Sequence, residues 1–425
     1  MELGIFVGSL FLFMFFGIPI AFILILCSIV LMIYMGVFDP SIISQQMVMG
    51  TNNFSLMAIP FFMLAGELMA KGGLSRRIVN FANIIVGKLK GGLGYAAILA
   101  SIIFSGLSGS AVADAAALGA ILIPMMYANG YSPERSTGLI CAGAMVAPII
   151  PPSIPMIVLG STVGVSITKM FMAGIVPGLL LGLGLMIAWK VIVKKHGYND
   201  VCTYTKKEQK EIIKDSLPAL VMPIIIVGGI RFGIFTPTEA GSFAVIYALL
   251  VSILWYKEIK PRDVIGICVD SAGSTAIVMF IVAGATAVGW LITVAQIPNQ
   301  LAAVLGGMIN HPLALMIIIN IFLFAMGMVM DLTPNLLIFG PVLFPVIIQA
   351  GIDPIYFAVV MVLNLCLGLI TPPVGTVLYL GCSVGKITFP QVVKGIMPFL
   401  LVEVLILALL IIFPQLVLVP LKFLI

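Results

Sequence analysis

Two aspartates stand in stretches where a carboxylate is costly. Asp114 closes SGLSGSAVAD (residues 105–114) together with Ser105, Ser108 and Ser110, and Asp331 lies in MGMVMDLTPN (326–335) beside Thr333 and Asn335. An ionisable group inside a membrane span marks a functional site by default, so each carboxylate needs a cation or a set of donors. Hydroxyl and carboxylate oxygens suit hard cations. One carboxylate per cluster is too little charge for a divalent ion, which favours sodium. The competing reading is that the serines and threonines bond back to their own helix carbonyls.

A second source of oxygen lies further along the chain. APIIPPSIP (147–155) places Pro148, Pro151, Pro152 and Pro155 in a run that is otherwise apolar from Thr137 to Val165. Each proline removes a backbone donor and disfavours the helical turn before it. Lipid supplies nothing to satisfy the carbonyls so freed, so protein or a cavity must line the break. Carbonyls near Pro148 to Pro152 are expected to face Ser108 and Ser110, and those near Thr371 to Gly375 of ITPPVG to face Asp331 and Thr333. That makes two quasi-equivalent cation sites.

The elements that must position these groups follow from composition. Of 425 residues, 62% are hydrophobic and 9% charged, and mean hydropathy is +1.26; a soluble domain carries about 25% charged residues. The chain is a polytopic membrane protein, all-α. Spans are predicted at 4–35, 47–70, 135–165, 168–193, 217–234, 238–257, 264–293, 355–384 and 388–413, with 92–129 and 311–350 as re-entrant helical hairpins broken near their middles. Basic residues cluster at Lys71–Lys90, Lys194–Lys214, Lys257–Arg262 and Lys386–Lys394, which places those loops in the cytoplasm. Lys71 and Lys194 share a side only if 92–129 enters and leaves on one face. Between Arg262 and Lys386 there is no Lys or Arg, so the second hairpin opens to the opposite side. The first residues, MELGIF, lack the basic start of a cleavable signal, and the run is expected to stay in the membrane.

The chain repeats itself. At an offset of 221, IIPPSIPMIVLGSTVG (149–164) meets ITPPVGTVLYLGCSVG (370–385), and eleven Gly or Pro positions coincide between Gly106 and Pro177, where chance gives about one. Shared glycines alone could reflect close helix packing, but paired PP breaks with matched flanks point to inverted-topology repeats that build a central site from two broken helices. The expected division is 1–195 for the first repeat, 196–216 for a cytoplasmic linker and 217–425 for the second. The amphipathic pieces 78–90 and 299–310 precede the two hairpins, either as interfacial arms or as ordinary connecting helices.

Other features narrow the chemistry. The six cysteines form no CxxC pair, His196 and His311 are far apart, and there is no nucleophile or phosphate-loop motif, so neither an enzyme nor a nucleic-acid partner is expected. The arginines, Arg76, Arg77, Arg135, Arg231 and Arg262, all fall at loop or helix ends. An anionic substrate would therefore be balanced by bound cations and by helix N-termini. Thr236, Pro237 and Glu239 read as a capping box. Glu67, Asp270 and Glu403 fit a helix partner, a subunit contact or a lipid-boundary position equally well.

FSGLSGSAVADAAALG (104–119), APIIPPSIPMIVLG (147–160), GIFTPTEAG (233–241) and LITPPVGTVLYLG (369–381) resemble the large membrane subunit of tripartite ATP-independent periplasmic (TRAP) transporters, and the likeness covers essentially the whole chain. The resemblance implies a sodium-driven elevator transporter of the bacterial inner membrane, with an architecture like that of the ion transporter superfamily. It implies an organic acid substrate, with a slight lean to sialic acid. Its partners would be a small four-helix membrane subunit, expected here as a separate chain, and a periplasmic substrate-binding protein. It also implies site residues. Ser108, Ser110 and Asp114 with Pro148, Ile150, Pro151 and Ser153 would hold a first sodium ion. Asp331 and Thr333 with Thr371, Gly375 and Thr376 would hold a second, and substrate would lie near Ser110, Asp114 and Asp331. The runner-up is a sodium- or proton-coupled carboxylate symporter that needs no binding protein.

Overall fold

The computed structural model describes residues 2–198, 201–202, 204–304 and 306–424. Asn199, Asp200 and Thr203 of the expected linker and Leu305 of the second amphipathic piece lie outside the described residues. Among those described, regular structure is helical throughout. In chain order the helices are α1 (Glu2–Phe15), α2 (Ile20–Tyr34), α3 (Pro40–Thr51), α4 (Ala58–Lys71) after one 3-10 turn, and α5 (Leu74–Val86). The first hairpin is α6 (Gly92–Ser108) with α7 (Ala111–Ala128), followed by α8 (Pro133–Gly143), α9 (Ile154–Val163) and α10 (Ile167–His196). The second half runs α11 (Lys206–Arg231), α12 (Pro237–Leu250), α13 (Asp263–Val294), α14 (Ile297–Val304) and α15 (Gly306–Ile309). Its hairpin is α16 (Pro312–Gly327) with α17 (Leu332–Gln349), followed by α18 (Pro354–Gly368), α19 (Thr376–Gly385), α20 (Phe389–Ile412) and α21 (Gln415–Leu424).

Length separates spanning helices from half-spans. Eight helical segments among the described residues are long and apolar enough to cross a membrane. Helices α9 and α19 have 10 residues each, a rise of about 15 Å, or half of a hydrocarbon core of about 30 Å. Each follows a proline break, so both breaks fall near mid-depth. The Pro151–Pro152 and Pro372–Pro373 peptide bonds are both cis.

Several boundaries differ from those read in the sequence. The run 4–35 is two helices: Gly17 takes a left-handed turn (φ 71°) and Pro19 precedes α2. The Ser9 hydroxyl lies 3.4 Å from the Cys27 sulfur, which requires α2 to fold back on α1. The expected span 47–70 is interrupted at Asn52 and Asn53, where α3 ends and the Asn53 side chain accepts from Ser55 N–H at 3.0 Å to begin the next turn. The expected span at 217 starts at Lys206, because Thr205 and Glu208 form a capping box and KEQKEI favours helix. The second amphipathic piece is two short helices, and α21 follows the last expected span.

Packing is reciprocal between the halves. Helix α7 of the first hairpin lies along α19, and α17 of the second hairpin lies along α9. Helices α8 and α20 form one tight pair and α18 and α10 its counterpart. The α8 and α20 backbones touch at glycine: a Cβ on Gly395 would sit 1.9 Å from the Glu134 carbonyl oxygen, and one on Gly138 would sit 2.6 Å from the Gly395 carbonyl carbon. Around this assembly α13 packs on α2, α3 and α4, and α4 on α12. Helix α5 packs on α6 of the first hairpin and on α11. Arg77 of α5 is buried, pairs with Asp215 at 3.0 Å and Glu258 at 3.3 Å, and lies 3.6 Å above the Tyr256 ring.

Candidate cation and substrate site

Hairpin one turns through Ser108, Gly109 and Ser110. Gly109 (φ 62°) admits no side chain, because a Cβ there would sit 2.4 Å from the Pro152 carbonyl oxygen. The close approach lets the Gly109 carbonyl accept from Ile154 N–H at 3.4 Å, which ties the tip to the first break. Ser110 caps α7 by accepting from Ala113 N–H at 3.4 Å. Asp114, on the first turn of α7, is fully buried; Oδ1 accepts from the Ser108 hydroxyl and Oδ2 has no hydrogen-bond partner. The break beside it is buried from Pro151 to Ser153. Ser153 donates to the Pro148 carbonyl at 2.5 Å and accepts from Met156 N–H at 3.2 Å, capping α9.

Hairpin two builds its tip differently. Asp331 stands at the N-cap of α17, makes no capping bond and is exposed; its Oδ1 accepts from the Thr376 hydroxyl at 3.4 Å across the second break. Val374 N–H donates to the Met328 carbonyl at 3.3 Å, again tying tip to break. Asn335 is fully buried: its amide donates to the carbonyls of Met330 at 3.0 Å and Asp331 at 3.1 Å, while Oδ1 has no partner. At the 221-residue offset Asp114 corresponds to Asn335, and Ser110 to Asp331. The carboxylate has moved by one helical turn between copies. Each tip keeps one buried, unpartnered oxygen at the same place, Asp114 Oδ2 in one and Asn335 Oδ1 in the other.

The remaining expected site residues divide. Thr371, in the break, donates to the Leu367 carbonyl at 2.6 Å, so its hydroxyl bonds back to the last turn of α18. The Ile150 side chain points toward Gly178 of α10. Gly375 (φ 57°) begins α19, and Thr333 lies partly exposed on the first turn of α17. Asn335 escaped the candidate set, although its alignment with Asp114 was available. Glu403 lies in mid-α20, fully buried, with no hydrogen-bond partner for either oxygen. Glu239 forms the expected capping box with Thr236.

Two cavities lie along α13, one of them at the first hairpin tip. One, of about 350 Å³, is bounded by Ser108, Ser110 and Ala113 of hairpin one, by Gly66, Glu67 and Lys71 of α4, and by Ser271 and Ser274 of α13. Ser110 reaches it; Asp114 and Asp331 do not line it. The other, of about 620 Å³, is lined by Gln46, Asn52 and Asn53, by Ser161 and Thr162 of α9, and by Thr286, Trp290 and Thr293 near the far end of α13.

Residues 7–416 match the sequence profile of the Tripartite ATP-independent periplasmic transporter, DctM component. The chain belongs to the DctM family of TRAP transporter large permeases. It is 44% identical to the 2,3-diketo-L-gulonate TRAP transporter large permease protein of Escherichia coli K12, over 99% of both chains. It is 38% identical to the sialic acid TRAP transporter large permease protein of Vibrio cholerae, over 96% of both. Among solved structures, the YdaH transporter of Alcanivorax borkumensis shares the fold at TM-score 0.66 and 13% identity, over 87% of each chain. MtrF of Neisseria gonorrhoeae shares it at 0.61 and 14%, over 87% of this chain and 83% of that one. A TRAP large permease is a transport protein of the bacterial inner membrane and not an enzyme.

Proposed function

We propose that this permease carries an organic acid inward with sodium, moving a body that contains both hairpins against the frame of α2, α4, α11, α12 and α13. The observation that carries the reading is the pair of buried oxygens, Asp114 Oδ2 and Asn335 Oδ1, set at equivalent places beside two proline breaks. A buried oxygen without a donor is costly, and an all-oxygen setting suits a hard monovalent ion. Ser108, Ser110 and Asp114 with the break carbonyls form the first sodium site. Asp331, Thr333, Asn335 and Thr376 with the carbonyls of Thr371–Gly375 form the second. Tip-to-break hydrogen bonds make each site depend on hairpin position, so ion binding and hairpin closure are linked.

The relatives' names point to the substrate class: one carries 2,3-diketo-L-gulonate, one sialic acid, and the DctMQ permease of Oleidesulfovibrio alaskensis isethionate. All are small organic anions, and we assign this permease an acid of that class. Its partners are a small membrane subunit and a periplasmic binding protein. Reconstitution in vesicles, with radiolabelled acid and a sodium gradient, tests the reading: uptake is expected only with the gradient and with both partners. Uptake by this chain alone would instead favour a self-sufficient symporter, and uptake indifferent to sodium would overturn the coupling.

A further inference from the structure

The transported acid is negative, and hairpin one offers it no cationic side chain. The frame does. Along α4, a Cβ on Gly66 would lie 3.8 Å from the Ser108 Cα, so this helix runs directly against the hairpin tip. Lys71 follows five residues later, about 7.5 Å along the axis, and is the one cationic residue among those lining the 350 Å³ cavity at that tip. Its ammonium bonds Asp270 of α13 at 2.7 Å and lies 3.9 Å from Glu67. Lys71 and Asp270 are both substantially exposed, at 44% and 60%, so the pair is weak and exchangeable. A cation in the last turn of α4 also complements the helix dipole, but that explains neither the Asp270 partner nor the place in the cavity wall. The clustering of basic residues puts this end of α4 on the cytoplasmic side, whereas the cavity toward the other end of α13 has a wall of amides, hydroxyls and Trp290 with no charged residue.

We propose that Lys71 is an anion-binding group of the frame, which takes the carboxylate of the transported acid on the cytoplasmic side while Asp270 holds its place when no acid is there. This inference rests on the functional reading above. The carboxylate would displace Asp270 from the ammonium on arrival, and Asp270 would reclaim it on release, so that inward delivery is not slowed by a trap. No bond forms or breaks in the exchange except hydrogen bonds.

The test uses the complete transporter in vesicles loaded with the acid that shows sodium-driven uptake, chosen from sialic acid, 2,3-diketo-L-gulonate and isethionate. The readout is the concentration at the cytoplasmic face that gives half-maximal efflux. Lys71→Gln is expected to raise it roughly three- to tenfold, Lys71→Arg to leave it near wild type, and Asp270→Asn to lower it while slowing maximal efflux. The double exchange Lys71→Asp with Asp270→Lys rebuilds the ion pair but takes the cation out of the cavity lining, so it should not recover the wild-type value. A Lys71→Gln value equal to wild type, an Asp270→Asn value not below wild type, or recovery in the double exchange would each overturn the proposal, the last by making the pair a mere tether between α4 and α13. If no acid of the panel is driven by sodium in the wild type, the functional reading fails and this inference fails with it.

Discussion

The two hairpin tips perform the same construction with different chemistry. Both end a helix against a proline break, both are tied to that break by one backbone hydrogen bond, and both bury one unpartnered oxygen on the first turn of the returning helix. In tip one that oxygen belongs to a carboxylate and the surrounding break is sealed from solvent. In tip two it belongs to an amide, and the carboxylate stands one turn earlier, exposed with Pro373, Val374 and Thr376. On the proposed reading, a first site so enclosed would have to strip an ion of its water completely and return full ligation, whereas the second could bind one still partly hydrated. The repeat thus conserves where an oxygen is needed but not which residue carries the charge.

The largest effect that could break this comparison is at Asp114. Asp114→Asn should cut sodium-driven uptake by at least a hundredfold and abolish the thermal stabilisation that sodium gives the purified protein, which at a hundredfold excess over Kd is about 2.7 kcal/mol. Its sodium-free stability should not fall, because asparagine keeps an acceptor for the Ser108 hydroxyl and puts no charge into the buried site. Retained stabilisation by sodium would move the first site elsewhere. Next comes Gly109→Ala, which forces a methyl into the Pro152 carbonyl as well as a strained φ. It should cost about 3 kcal/mol or more, measured by thermal melting, whereas Gly375→Ala meets the movable Leu378 side chain at 2.8 Å and should cost about half as much.

Asp331→Asn should weaken sodium activation by about tenfold with little change in melting temperature, since that carboxylate is exposed. An effect as severe as that of Asp114→Asn would show the two sites to be equally enclosed. Ser153→Ala removes the α9 cap and the bond to the Pro148 carbonyl, and is expected to cost about 1–2 kcal/mol. Smallest of all, Thr371→Val should leave the half-saturating sodium concentration unchanged, because the hydroxyl is spent on Leu367; a clear rise would return Thr371 to the ligand set.

Much of this was legible in the residues. The doubled PP breaks, the small-residue turns at 105–110 and 326–331, and the buried carboxylate at 114 carry strong physical penalties unless they form a paired site, so they stood out. Half-helices of the observed length follow from where the prolines fall. What did not show was the exchange of roles between positions 110/114 and 331/335, because a carboxylate draws attention and an asparagine does not. The fold-back at Gly17 was hidden for another reason: hydropathy continues unbroken through FFGIPI, and only the left-handed glycine followed by proline marks the turn. Glu67 and Asp270 gained a meaning only when α4 and α13 came together around Lys71, a contact between residues some 199 positions apart.

The cavity toward the far end of α13 carries a consequence of another kind. Trp290 stands in its wall, Trp189 is fully buried in a stack with Tyr131 and Tyr198, and Trp255 is exposed at the other end of the frame. These are the three tryptophans of the chain. With Trp189 and Trp255 replaced by phenylalanine, the remaining indole becomes a native optical reporter whose emission colour follows the wetting of that chamber. Trp290 would then report, without an attached dye, any change in the wetting of that chamber while the transporter works.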